Sequence, residues 1–205
     1  MAERGRPRGF DRQVALRDAM LMFWNKGFEE TSMTDLTQAT GLRSASLYAA
    51  FGSKEAIFRE ALDMYQETLG PMIWASLEDA TIEGAIESFL MRTADAFSDP
   101  AYPAGCMIVL GAHHARQGAS AVGDELQRRR ANDIRRLKQR FDVAIQAGDL
   151  AATFDSQAAA AFYAALQAGM SILARDGATP ATLRAVAISG TRALDEMKAR
   201  SQSSD

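Results

Sequence analysis

Apolar residues recur at helical spacing along almost the whole chain. Leu16, Met20 and Phe23 share one side of a helix predicted from about Asp11 to Lys26, and Gly27 ends it. Ser32 is placed to cap a short helix, Met33 to Thr40, with Asp35 in its positive first turn. After Gly41-Leu42-Arg43 a second short helix runs from Ser44 to Ala50. Ser53 caps a long helix striped by Ile57, Phe58, Ala61, Leu62, Tyr65 and Leu69, which Gly70-Pro71 is expected to kink or end. Thr81 opens a helix carrying Ile82, Ile86, Phe89, Leu90 and Phe97, and the proline-bearing stretch Ser98 to Ala104 reads as a loop. A short helix is predicted from about Gly105 to Gln117 and a long one from about Ser120 to Ala147. Asp155 caps an alanine-rich helix to about Arg175, and Thr179-Pro180 starts the last, to about Ala199. That makes nine helices, with no strand pattern and no internal repeat: an all-α protein.

Composition agrees. Thirty-nine of the 205 residues are alanine and five are proline, which favours helix. One cysteine leaves no internal disulfide and suits a reducing, cytoplasmic setting. The N-terminal Met1-Ala-Glu-Arg has no hydrophobic stretch of the secretory kind, and no apolar run reaches the roughly 18 residues of a membrane span, so no membrane is expected as partner.

Net charge, −3 overall, argues at first against nucleic acid. Resolved by position it does not. Residues 1–60 carry +1 and the rest −4, and Arg4, Arg6, Arg8 and Arg12 crowd one short stretch. In Arg4-Gly-Arg-Pro-Arg8 the glycine permits close backbone approach and the proline holds the chain extended. Such an arm is either frayed or laid along a groove of DNA.

Two short helices joined by a tight glycine-containing turn, held by a preceding helix, form a helix-turn-helix unit. The segments Phe28 to Leu42 and Ser46-Leu-Tyr-Ala-Ala-Phe-Gly-Ser-Lys-Glu55 resemble the N-terminal domain of the tetracycline-repressor (TetR) family. The shared pattern is Gly-Phe-x-x-Thr-(Ser/Thr)-(hydrophobic), then Ala-x-Gly-(hydrophobic), then Leu-Tyr-x-x-Phe-x-(Ser/Asn)-Lys-Glu, over about Arg12 to Tyr65. The resemblance implies a DNA-binding head, residues 1–55, and a helical body, residues 56–205, for effector binding and dimerisation. It implies that Tyr48 and Lys54 contact the DNA backbone and that Arg43, Ser44, Ala45 and Ser46, with Ala49, lie near bases. Thr31, Ser32 and Thr34 open the preceding helix, whose free N–H groups suit a phosphate. Two departures stand out: Arg43 replaces the usual capping Ser or Thr, and Ala49-Ala50 replace a polar or aromatic pair.

The resemblance further implies a homodimer on a palindromic double-stranded operator, with pairing through the last two helices. These are striped by Phe162, Leu166, Gly169, Met170 and Leu173 and by Leu183, Val186, Ala187, Gly190, Leu194 and Met197. The middle helices are expected to enclose an effector pocket lined by Tyr65, Trp74, Phe89, Leu110, His113, Phe141, Tyr163 and Gln167. Cys106 opens a helix, where the backbone dipole favours a thiolate, or else it is a small packed residue. Gly105-Cys106 resembles a branch of the family that senses electrophiles or oxidants through a cysteine. A metal shared by Cys106 and His113 is not expected, because seven residues separate them by about 10.5 Å of helix axis. No cofactor motif is present. The expectation is therefore a repressor released by a small molecule or electrophile. The alternatives are a thiol enzyme built on Cys106 and His113, or a helical adaptor.

Overall fold

The computed structural model describes residues 10–111 and 120–202, and among them every regular element is helical. The α-helices are α1 (Arg12–Lys26), α2 (Met33–Thr40), α3 (Ser44–Phe51), α4 (Lys54–Trp74), α5 (Ile82–Phe97), α6 (Met107–Leu110), α7 (Ala121–Ala147), α8 (Ser156–Arg175) and α9 (Pro180–Gln202).

Side-chain caps start most of them. Asp11 accepts from the N–H groups of Gln13 and Val14, so it precedes α1 rather than belonging to it. Ser53, Thr81, Ser120 and Asp155 cap α4, α5, α7 and α8 in the same way. Two expected ends are corrected. α4 runs through Pro71 to Trp74 and closes in a 3₁₀ turn, Ala75–Glu78. Pro71 and Glu67, whose carbonyl loses its helical donor, both face solvent, where water replaces the missing bond. α6 begins at Met107 and ends at Leu110, before Gly111, and the rest of the predicted helix, 112–117, lies outside the described residues. Gly111 follows it, and its carbonyl accepts from Phe28 N–H at 2.9 Å.

Two hydrophobic cores form. One joins α1 to α4 and extends to Met107 and Ile108 of α6 and to Val122 and Leu126 of α7. The other joins the end of α4 to α5, α8, α9 and the second half of α7. α4 contributes Ile57 through Leu69 to the first and Ile73 to the second, so the cores do not part at residue 55. α8 is long and apolar enough by composition to cross a membrane, contrary to the expectation from the sequence, yet Tyr163 and Met170 are fully buried in the second core.

Candidate nucleic-acid interface and enclosed cavity

The α2–α3 pair is rigid for local reasons. Ser32 Oγ accepts from Asp35 N–H, and the Asp35 carboxylate accepts from Ser32 N–H, a reciprocal capping box. Lys26, at the end of α1, reaches the same carboxylate at 2.8 Å. Lys26 and the Ser32 groups hold the Asp35 carboxyl far below its usual range. Leu36 and Leu47 are fully buried between the helices, and Phe23, Phe28 and Phe58 form a ring cluster behind them.

Because Leu47 and Phe51 point inward, the opposite face of α3 is free: Arg43, Ser44, Ala45, Tyr48 and Ala49 are exposed and Ser46 is half-buried. Arg43 occupies the N-cap position without a side-chain cap bond, so its guanidinium is not spent on the helix. Ser32 and Thr34 are exposed beside this row. Lys54 sits at the first position of α4, where a positive charge opposes the helix dipole, and its ammonium lies 4.3 Å from the Phe28 ring centroid. Partial burial lowers its pKa, against the pull of Glu29 and Glu55.

One candidate, Thr31, turns away from this surface, as does Arg12 of the basic N-terminal stretch. Thr31 is fully buried and donates to Gly27 O at 2.6 Å, so its hydroxyl fixes the α1–α2 turn and cannot meet a phosphate. Arg12 pairs with Glu60 at 2.8 Å and stacks over Phe51 at 4.3 Å, stapling α1 to α3 and α4. The arm thus keeps Arg4, Arg6 and Arg8, which lie outside the described residues.

Between α4, α5, α7 and α8 lies an enclosed cavity of about 50 Å³. Of the candidates from the sequence, Tyr65, Trp74, Cys106 and Gln167 line it. The other described candidates pack elsewhere. Phe89 packs at a tilt against Trp74 in the core, Phe141 packs against Phe154 and Tyr163, and Tyr163 donates to Gly190 O at 3.1 Å. Leu110 leans on Gly105, outside the cavity wall. His113 lies outside the described residues. Asp133 and Arg136 of α7 complete the wall. They are hidden in a basic run that reads as a solvated face.

Cys106 is half-buried, and the Tyr65 hydroxyl donates to its sulfur at 3.3 Å. Burial pushes the thiol up, and the Tyr65 hydrogen bond only partly opposes it. The helix it opens is too short for a strong dipole, so the thiolate expectation is corrected: at neutral pH this group is a thiol.

The family profile described as "Bacterial regulatory proteins, tetR family" matches residues 15–61, the span of α1 to the first turns of α4. The HTH-type transcriptional repressor ComR of Escherichia coli (strain K12) is 34% identical over 196 residues, covering 95% of this chain and 93% of ComR. The chain belongs to the tetR family. A second Escherichia coli K12 repressor, BdcR, is 34% identical over 110 residues, 53% of this chain and 56% of BdcR. The tetR-family regulator CifR, solved with three cysteines replaced and bound to 26-bp double-strand operator DNA, superposes with a TM-score of 0.87. It is 39% identical, and the match covers 92% of this chain and 99% of CifR. In this tetR-family regulator the exposed row on α3 and the cavity under α4 are therefore the two places to look for function.

Proposed function

We propose that the chain is a transcriptional repressor that binds a palindromic operator as a homodimer and leaves it when a small molecule occupies the cavity beneath α4. The observation that carries the DNA reading is the outward row of α3, free of structural duties, flanked by the exposed start of α2 and by Lys54. Arg43, Ser44 and Ala45 approach bases, while Ser32, Thr34, Tyr48 and Lys54 hold the backbone. CifR, 39% identical, is complexed with operator DNA, which supports the DNA reading.

Pairing is assigned to a second copy of this chain. Phe162, Ile172 and Leu173 of α8 and Ile188 of α9 are between 38% and 50% exposed, and Phe162 lines a groove of about 390 Å³ together with Leu166 and Val186. An apolar patch on one face of two long helices suits a self-complementary two-fold interface. Within the predicted stripes, Met170, Leu183, Ala187 and Leu194 are buried in the chain's own core and do not serve pairing. Gly190 lets Leu166 and Leu90 approach, where a Cβ would lie 2.4 and 2.8 Å from them.

For release, a non-covalent ligand is favoured over thiol modification, since Cys106 is a hydrogen-bonded thiol. Its place on the cavity wall keeps the electrophile reading testable. Operator fragments from the promoter of its own gene, followed by fluorescence anisotropy against salt, test the whole reading. Sequence-specific binding with a steep salt slope is expected. Lys54→Ala weakens binding to every sequence, and Arg43→Ala also relaxes preference at one base pair. Salt-insensitive, unspecific binding leaves the adaptor or enzyme readings. Removal of residues 1–9 flattens the salt slope if the arm lies on DNA. Equal DNA release of Cys106→Ser and parent by thiol-reactive compounds assigns Cys106 to packing.

A further inference from the structure

The cavity's polar groups are unevenly matched. Asp133 Oδ1 is sealed from solvent and accepts no hydrogen bond among the described residues. Tyr65 commits its only proton to Cys106 Sγ, so the phenolic oxygen that remains is an acceptor. Gln167 donates one amide N–H to Thr93 Oγ1 at 3.4 Å, which leaves its carbonyl and a second N–H. The one cationic donor on the wall, Arg136, is exposed and spread over the Trp74 ring at 4.5 Å. The neighbouring arginines each make other contacts. Arg129 is held by Glu125, Asp63 and Gln66, and Arg130 donates to Ile108 O at 3.1 Å. Gln66, whose carbonyl accepts from Arg129, adds its amide N–H groups, and the remaining walls, Leu69, Gly70, Ile73, Phe97 and Ile108, are apolar.

Resting on the reading of this cavity as the effector site, we infer that its ligand is a small molecule with a hydrogen-bond-donating head, hydroxyl or ammonium, on a short hydrocarbon skeleton, with the head placed on Asp133. A buried acceptor without a partner is costly, and a donor that fills it removes that cost. A carboxylate or phosphate would set a second anion beside Asp133 in a site sheltered from water, so the basic run of α7 does not make this an anion site. Size points the same way. A void of about 50 Å³ holds a few heavy atoms before the walls must move.

The test compares 1-butanol, butylamine and butyrate, which share one skeleton, by calorimetric titration of the full chain. Both donors are expected to bind at least tenfold more tightly than butyrate. Asp133→Leu should erase that preference while accepting an apolar analogue such as methyl propyl ether. Asp133→Asn should retain the alcohol and weaken the amine, which separates hydroxyl from ammonium as the preferred head. Butyrate binding as tightly as the donors, failure of both donors to bind, or a preference surviving in Asp133→Leu overturns the ligand class. Gly70→Leu separates that failure from failure of the cavity reading. Gly70 lines the cavity with room for a Cβ, which would lie 3.9 Å from Trp74, so a larger side chain there fills the space. If the ligands bind Gly70→Leu unchanged, they sit elsewhere and the cavity is not the effector site.

Discussion

One carboxyl on the cavity wall makes part of this molecule's stability depend on pH. Burial raises the Asp133 pKa to about 6, although Arg136 and Arg129, the charged groups facing it, pull it down. The folded chain therefore keeps a proton that the unfolded chain releases at lower pH. Stability attached to this group is present below about pH 4 and is lost as pH rises through 6. Each tenfold difference in proton affinity between the folded and unfolded chains is worth about 1.4 kcal/mol, so the loss approaches 3 kcal/mol. Asp133→Asn, which does not titrate, is expected to match the parent near pH 4 and exceed it by about 2–3 kcal/mol at pH 8, read by urea unfolding at both pH values. Equal stability of the two proteins at pH 8 contradicts it. Asp133 could not be found in the sequence, because an aspartate inside Arg128–Arg136 reads as one more charge on a wet helix face. Only the packing of α7 against α4 and α8 buries it. Tyr65 is legible because it rides the apolar stripe of α4, whereas Phe89, Phe141 and Tyr163, equally apolar, fill the core beside the cavity. Periodicity tells which side of a helix is inward and not whether a void lies there.

Elements whose limits are written in local chemistry are legible in the sequence. The α2 start is the clearest: Ser32, Asp35 and their mutual bonds lie within four residues. Ser32→Ala is expected to cost about 1 kcal/mol in thermal or chemical unfolding. It should also weaken DNA binding by loosening α2 against α3, and Ser32→Asp, which keeps a capping oxygen, should restore the stability. The same capping logic locates α4, α5, α7 and α8. It fails for α6, whose entry is held by distant contacts. Gly105 has φ +81°, and a Cβ there would stand 2.6 Å from Ser171 O of α8, while Cys106 N–H donates to Ser171 Oγ at 2.8 Å. The stretch of chain entering α6 is thus pressed onto α8 by residues 65 positions away. Gly105→Ala combines backbone strain with a main-chain clash and should destabilise by at least about 2 kcal/mol. A loss under about 0.5 kcal/mol, the range of an ordinary surface change, means the segment yields at little cost.

At the scale of the molecule, the two cores must communicate for a ligand under α4 to alter the reading head. α4 is one connection, since it belongs to both. Arg175, the last residue of α8, is a second. Its guanidinium donates to Ala104 O at 3.1 Å, to Asn25 O at 2.7 Å and to Trp24 O at 2.7 Å, and it forms no ion pair among the described residues. Those carbonyls belong to the unsatisfied last turn of α1 and to the segment leading into Cys106, so one side chain joins the head, the cavity wall and α8. Trp24 continues the path, packing edge-on to Tyr65 at 4.9 Å. Arg175→Leu keeps the hydrocarbon stem but strands three carbonyls, and should cost about 2–4 kcal/mol. The loss should be local. Hydrogen exchange at residues 24–28 is expected to accelerate at least tenfold, while the buried amides of α8 and α9 keep their protection. Arg175→Lys, able to reach one carbonyl but not three, should fall between. Uniform acceleration across both cores would mean that Arg175 only adds to global stability. Acceleration confined to the end of α1 would make it the tie through which the body positions the head.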